Sequence, residues 1–137
     1  MRLKYNQLKL FELPNHEWWP QIKKMHLNVD TSCFKEWYFG AEHCIGINYD
    51  TIVVSHQNRP IAIAMYSVWT SMMDIKTTEF TVFVIHEYRQ QGIGKKLFKK
   101  VKYITCPEKV FVYPHDDTSD AFYTKIYPKH YKTQNDD

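Results

Sequence analysis

Between Thr77 and Val101 the chain changes its apolar period, and it does so at a pair of glycines. Thr77–Ile85 is a β-rich run of apolar, β-branched and aromatic residues. His86–Gln91 is polar. After Gly92 the apolar positions are Ile93, Leu97, Phe98 and Val101, which is the spacing of one helix face. Any fold for this chain must therefore take a strand through a glycine turn into a helix. Glycine is scarce, 4 residues in 137, and Gly92 and Gly94 are half of that supply. Lys95, Lys96, Lys99, Lys100 and Lys102 occupy the rest of the helix surface.

Such a unit has a chemistry of its own. The first N–H groups of a helix lack backbone partners, and the helix dipole puts partial positive charge at the same end. Glycine lets the backbone approach a ligand closely. With Lys95 and Lys96 beside it, the turn suits a phosphate or pyrophosphate. Two common phosphate loops do not fit. A Walker A loop needs GxxxxGK[ST], but Arg89 stands at the first glycine position and Lys96 follows Lys95 where Ser or Thr is required. A dinucleotide fingerprint needs GxGxxG, but Leu97 holds the third position and the turn does not open a βαβ unit.

The remaining segments set the class. Lys9–Leu13 is expected to be a short strand ended by Pro14-Asn15. Asn15 is expected to cap a helix over about His16–Leu27, with Trp18, Trp19, Ile22, Met25 and His26 as its stripe. A second helix follows Asp30-Thr31-Ser32 and uses Phe34, Trp37 and Tyr38. Thr51–Ser55, Pro60–Trp69 and Thr77–Ile85 form an antiparallel meander, turning at Gln57–Pro60 and Ser71–Lys76. Cys106-Pro107-Glu108 closes the lysine helix, Val110–Tyr113 is a strand, and Asp116–Tyr127 is a last helix ended by Pro128. The order predicts one mixed α/β (α+β) domain over residues 1–137, with an antiparallel first half.

Arg89-Gln90-Gln91-Gly92-Ile93-Gly94 has the form [R/Q]xxGx[G/A]. Behind a β-rich strand, in VFVIHEYRQQGIGKKLF, it resembles the coenzyme A-binding motif of the GNAT superfamily of N-acetyltransferases. The match is specific over Thr78–Val101, and Thr51–Met65 and Val110–Tyr123 look like the family's neighbouring elements. The resemblance implies a central, mostly antiparallel sheet flanked by helices. Strands four and five would splay into a V, aided by a bulge in the fourth. It implies acetyl-CoA as co-substrate, with the backbone of Phe83, Val84 and Ile85 on the pantetheine arm. The amides of Gln90, Gln91, Gly92, Ile93, Gly94 and Lys95 would hold the pyrophosphate, and Arg89 would shape the turn. An Asn-x-x-Ala-x-x-aromatic-Tyr segment of the family falls on Asp116, Ser119, Phe122 and Tyr123, with Asp for Asn and Ser for Ala.

The implied reaction is direct attack of an amine on the thioester in a ternary complex. The developing oxyanion needs a donor, for which the Val84 N–H is the candidate. The leaving thiolate needs a proton, and Tyr123 is the matching acid. The family's carboxylate position on the fourth strand is Thr78 here. The base is then Glu79, one residue on, through a bulge or a water relay. The bland alternatives are a solvated Glu79 and a core or rim Tyr123. A GNAT-fold module that has lost catalysis and contacts RNA or protein is the competing function.

Composition narrows the setting. A net charge of +3 is mildly basic and falls short of a dedicated nucleic-acid binder. Cys33, Cys44 and Cys106 form no CxxC pair, which fits a reducing compartment. His26, Cys33, His43 and Cys44 lack zinc spacing, so no metal is expected. The longest apolar run, Ile61–Tyr66, is too short to span a bilayer, and residues 1–13 lack a signal-peptide core. A cytoplasmic enzyme follows, whose acceptor is an amine on a small molecule, peptide or protein, or one linked to RNA. With few residues after Pro128 for a last strand, the acceptor side is either open or completed by a second subunit in a homodimer.

Overall fold

A computed structural model describes residues 2–25, 38–39, 41–43, 49–70 and 72–112. The last expected helix, most of the second helix, and Cys33 and Cys44 lie outside the described residues. Among the described residues five strands form one sheet in chain order: β1 (Leu3–Lys9), β2 (Asp50–His56), β3 (Arg59–Thr70), β4 (Lys76–Val84) and β5 (Lys109–Val112). The first three pairings are antiparallel, and β4–β5 is parallel. The described helices with both ends defined are α1 (Trp19–Lys24) and α2 (Ile93–Thr105), residues 38–39 and 41–43 are helical as well, and short 3-10 turns cover Leu10–Asn15 and His86–Tyr88.

The alternation of strand side chains separates two cores. On one face Ile52, Val54, Ala62, Ala64, Phe80 and Val82 meet Ile93, Leu97, Phe98 and Val101 of α2. On the other, Val53, Ile63, Met65 and Phe83 meet Leu10, Leu13, Trp18, Trp19, Ile22 and Tyr38. The sheet is thus the middle of three layers, which is why β2 and the first half of β3 are apolar on both sides.

The β2–β3 connection is tighter than its sequence suggests. Gln57 and Asn58 alone make the turn, with φ of 52° and 61°, the left-handed pair of a type I′ hairpin. Arg59 and Pro60 already belong to β3. Pro60 has no N–H to give a ladder, and it sits where the β2–β3 register shifts, between Val54 and Ser55.

Three expectations are corrected. The first strand is Leu3–Lys9, not Lys9–Leu13. Leu10 and Leu13 are three residues apart, so a 3-10 turn stacks and buries both, and Pro14 could not have served a ladder. The first helix begins at Trp19, not His16, and Asn15 does not cap it. Pro20 lacks a donor and fits only the first turn, while the Trp18 N–H is taken by His16 Nδ1 at 3.1 Å. The bulge expected in the fourth strand is absent, since the β3–β4 register runs unbroken from Ala62↔Val84 to Thr70↔Lys76. The β4–β5 pairing is described from Thr77↔Lys109 to Phe80↔Val112, the last described residue of β5.

Candidate functional site

The C-terminal end of β4 has a definite polarity. The Ile85 N–H donates to Ile61 O at 3.0 Å, so odd-numbered residues of β4 aim their backbone groups at β3. Even-numbered residues aim theirs at the β5 side. There the Glu108 N–H donates to Lys76 O at 2.9 Å, and Arg89 Nε donates to Val84 O at 2.8 Å. Of the three residues expected on a pantetheine arm, Val84 alone turns its N–H toward the β5 side. Phe83 and Ile85 face β3. Val82 shares the orientation of Val84, and sequence reasoning missed it, although i, i+2 alternation from Val84 carries the signal.

Past β4 the chain folds back on itself. The Tyr88 N–H donates to Ile85 O at 3.0 Å and the Arg89 N–H to His86 O at 3.2 Å. The Arg89 guanidinium lies 5.4 Å from the Phe83 ring centre while Nε holds Val84 O. Gln90 and Gly92 take left-handed backbones, φ 62° and 78°, and a side chain at Gly92 would meet nothing within 4 Å. Gln91 Nε2 reaches back to Glu87 O at 3.4 Å.

Gly92 caps α2 with no side-chain hydrogen bond, and the first turn holds no acid. The Lys96 N–H makes the bond to Gly92 O at 3.0 Å, so the amides of Ile93, Gly94 and Lys95 precede the helix's own hydrogen bonding. The buried Ile93 side chain anchors this end against the sheet. Lys95 is exposed beside it. Lys96 and Lys100 turn away, their Nζ atoms 4.7 and 5.0 Å from the Tyr5 ring centre, and Lys102 covers Phe98. Three amides, Lys95 and open space over Gly92 lie together at the end of β4, an arrangement that could hold an anion such as a pyrophosphate, hereafter the anion seat.

The acidic residue of β4 is on the opposite side of the sheet from α2. Thr78 faces the α2 core, buried, and its hydroxyl donates to Thr105 Oγ1 at 2.9 Å, which in turn donates to Val101 O at 2.7 Å. Glu79 faces the α1 layer, half-buried. Its Oε2 accepts from Tyr49 OH at 3.2 Å and its Oε1 from Trp69 Nε1 at 3.1 Å. Trp69 stacks on Phe111, 6.0 Å between centres and 14° from parallel. Tyr49 and Trp69 were not anticipated, because only the β3–β4 register brings Trp69 beside Glu79. At about 3.3 Å per residue, Glu79 stands about 10 Å along the strand from Val82 and about 17 Å from Val84. Tyr123, Asp116 and Ser119 lie outside the described residues. No metal-holding cluster of His, Cys, Asp or Glu, and no helix long and apolar enough to cross a membrane, occurs among the described residues.

The sequence profile of the acetyltransferase (GNAT) family matches residues 10–126. The chain belongs to the GNAT family. Solved structures carry the same fold across almost its whole length. An aminoglycoside acetyltransferase from an uncultured soil metagenomic sample, in complex with trehalose, superposes with a TM-score of 0.65 at 20% identity, covering 92% of this chain and 88% of that one. A ribosomal-protein-alanine N-acetyltransferase from Brucella melitensis gives 0.64 at 14% identity, covering 91% and 90%. The aminoglycoside N-acetyltransferase AAC(6')-Iy in complex with CoA gives 0.65 at 13% identity, covering 92% and 87%. No curated protein matches this GNAT chain by sequence. At such identities the likeness is one of fold, and the parallel β4–β5 pairing next to the glycine turn is part of it.

Proposed function

We propose that the protein transfers an acetyl group from acetyl-CoA to a primary amine by direct attack in a ternary complex. The observation that carries this reading is the uncapped start of α2, Gly92–Lys95, set against the even-numbered backbone edge of β4 in a chain of acetyltransferase ancestry. Acetyl-CoA would supply the activated acetyl thioester. The amides of Ile93, Gly94 and Lys95 would take its pyrophosphate, and Arg89 would keep the turn folded. Val84 would offer its backbone N–H to the pantetheine arm or to the acyl oxygen, where negative charge develops.

The amine must lose a proton before it attacks. Glu79 is the acid of β4 on the α1 side, and its strand distance from Val82 and Val84 makes a water relay the route for that proton. Tyr123 would return a proton to the departing sulfur, as the family resemblance implies. The cytoplasm, reducing and supplied with the co-substrate, fits three sparse cysteines.

Two measurements test this. Acetyl-CoA at 100 times its Kd should stabilise the fold by about 2.7 kcal/mol. A panel of amines should release free thiol in its presence. No thermal shift at millimolar acetyl-CoA would overturn the reading. Glu79→Gln should lower kcat by roughly 10²-fold while leaving acetyl-CoA affinity intact, with the residual rate rising as pH approaches the amine's own pKa. An unchanged rate and pH profile would remove Glu79 from the proton path.

A further inference from the structure

Next to the anion seat lies a contact set that the reaction does not use. The tip of the β2–β3 hairpin touches the turn between β4 and α2 at several points. Tyr88 OH and His56 Nδ1 share a hydrogen bond of 2.6 Å, with the two rings edge to face at 5.6 Å. Arg59 pairs with Glu87 at 3.5 Å. Ile61 O, at the register shift, holds the Ile85 N–H at 3.0 Å. His56 and Arg59 are cross-strand partners on either side of the Gln57-Asn58 turn, so both reach the loop from one rigid hairpin end. The hairpin end is held from behind as well. Trp18, buried at the start of α1, donates its indole N–H to Asn58 O at 3.1 Å.

We infer that the β2–β3 hairpin tip is a brace for the cofactor loop, with His56 and Tyr88 as positioning residues for coenzyme A binding. The inference rests on the acetyl-CoA reading above. Tyr88 directly precedes Arg89, whose side chain closes the turn onto Val84 O. Gln90 and Gly92 hold strained or glycine-only conformations just beyond. A loop of that kind keeps its shape only when its surroundings over-determine it. Arg59–Glu87 is an exposed pair and contributes little. The half-buried His56–Tyr88 bond carries the brace. Releasing it leaves the anion seat chemically intact but less often assembled, and apparent affinity falls with the assembled fraction.

The test is binding of CoA itself, followed by calorimetry, with amide hydrogen exchange over residues 86–95 in the free protein as a second readout. Tyr88→Phe keeps the ring in its packing and removes only the hydroxyl, and His56→Leu removes the ring nitrogen that bonds it. One hydrogen bond is worth about 0.5–1.5 kcal/mol, so each variant should weaken CoA roughly 2- to 12-fold. The double variant should be no worse than either single one, and His56→Asn, which keeps a polar atom near Nδ1, should recover most of the loss. The acceptor KM and the kcat at saturating acetyl-CoA should not move. Asn6→Ala, which removes side-chain bonds to Val53 O and Ser55 Oγ away from the loop, should leave CoA affinity unchanged and so controls for stability loss alone. Unchanged CoA affinity in Tyr88→Phe, or additive losses in the double variant, would overturn the brace. If the parent protein does not bind CoA, the acetyl-CoA reading fails by itself. The brace is then judged on exchange, which should quicken over residues 86–95 in Tyr88→Phe, and unaltered exchange would overturn it.

Discussion

At the scale of residues, Gly92 separates two kinds of requirement that a glycine motif usually merges. Its φ of 78° makes any L side chain strained, yet a Cβ would meet nothing within 4 Å. Gly92→Ala should therefore cost about 1–2 kcal/mol through the backbone and still bind CoA. Gly92→Glu should show the same loss in a urea titration and bind none, because its carboxylate enters the anion seat. If alanine also abolished binding, the glycine would be needed for conformation alone. The lysines behind it divide along the same line. Lys96 and Lys100 are spent on the Tyr5 ring, which leaves Lys95 as the ammonium nearest the seat. The sequence places Lys95 and Lys96 together beside the glycines, and the turn of Lys96 toward Tyr5 separates them. Val82 could have been read from Val84 by alternation, whereas the positions of Tyr49 and Trp69 were not legible, because register is a property of pairing rather than of sequence.

At the scale of elements, the facing of β4 decides what each of its residues can do. The family's carboxylate position maps to Thr78, and the unbroken β3–β4 register turns that position into the α2 core. Thr78→Glu should bury an unpaired charge and destabilise the fold by about 3 kcal/mol or more, read as a fall in the urea midpoint. A well-folded Thr78→Glu protein would show that the strand can slip or bulge after all. The meander, the lysine helix and the fifth strand were readable because their periods are clean and their turns carry Gln57-Asn58, Gly92 or Pro107. The N-terminal elements were misread for a local reason. Leu10 and Leu13 look like the end of a strand when pairing is unknown, and Asn15 looks like a cap until His16 and Pro20 are seen to set the helix start.

At the scale of the whole molecule, two layers pack on one sheet, and the phenols of the α2 face, Tyr66 buried and Tyr5 half-buried, tie stability to alkaline pH. Burial pushes the Tyr66 hydroxyl above 10.0, with the nearby charge of Asp50 adding to it, and burial raises Tyr5 as well. A group whose pKa is raised on folding contributes fully below its unfolded value and loses that contribution as pH climbs through the folded one. The urea midpoint should hold up to about pH 10 and fall above it, and Tyr66→Phe should blunt the fall. An identical decline in that variant would assign it to other groups. The strand order has a consequence in time as well as space. β1 is synthesised before the strand it pairs with, since Leu3 pairs with His56, and among the described residues β1 has no neighbour on its other side. At ribosomal speed the roughly 50 residues between them take about 3–10 s to appear, and during that interval β1 waits with both edges bare. Lys4 and Lys9 stand on that strand, and charges of this sort keep a lone strand from recruiting the wrong partner. Ribosome-stalled chains that end before Asp50 should thus be cut by protease within Leu3–Lys9, and chains long enough to release the β2–β3 hairpin should be protected there.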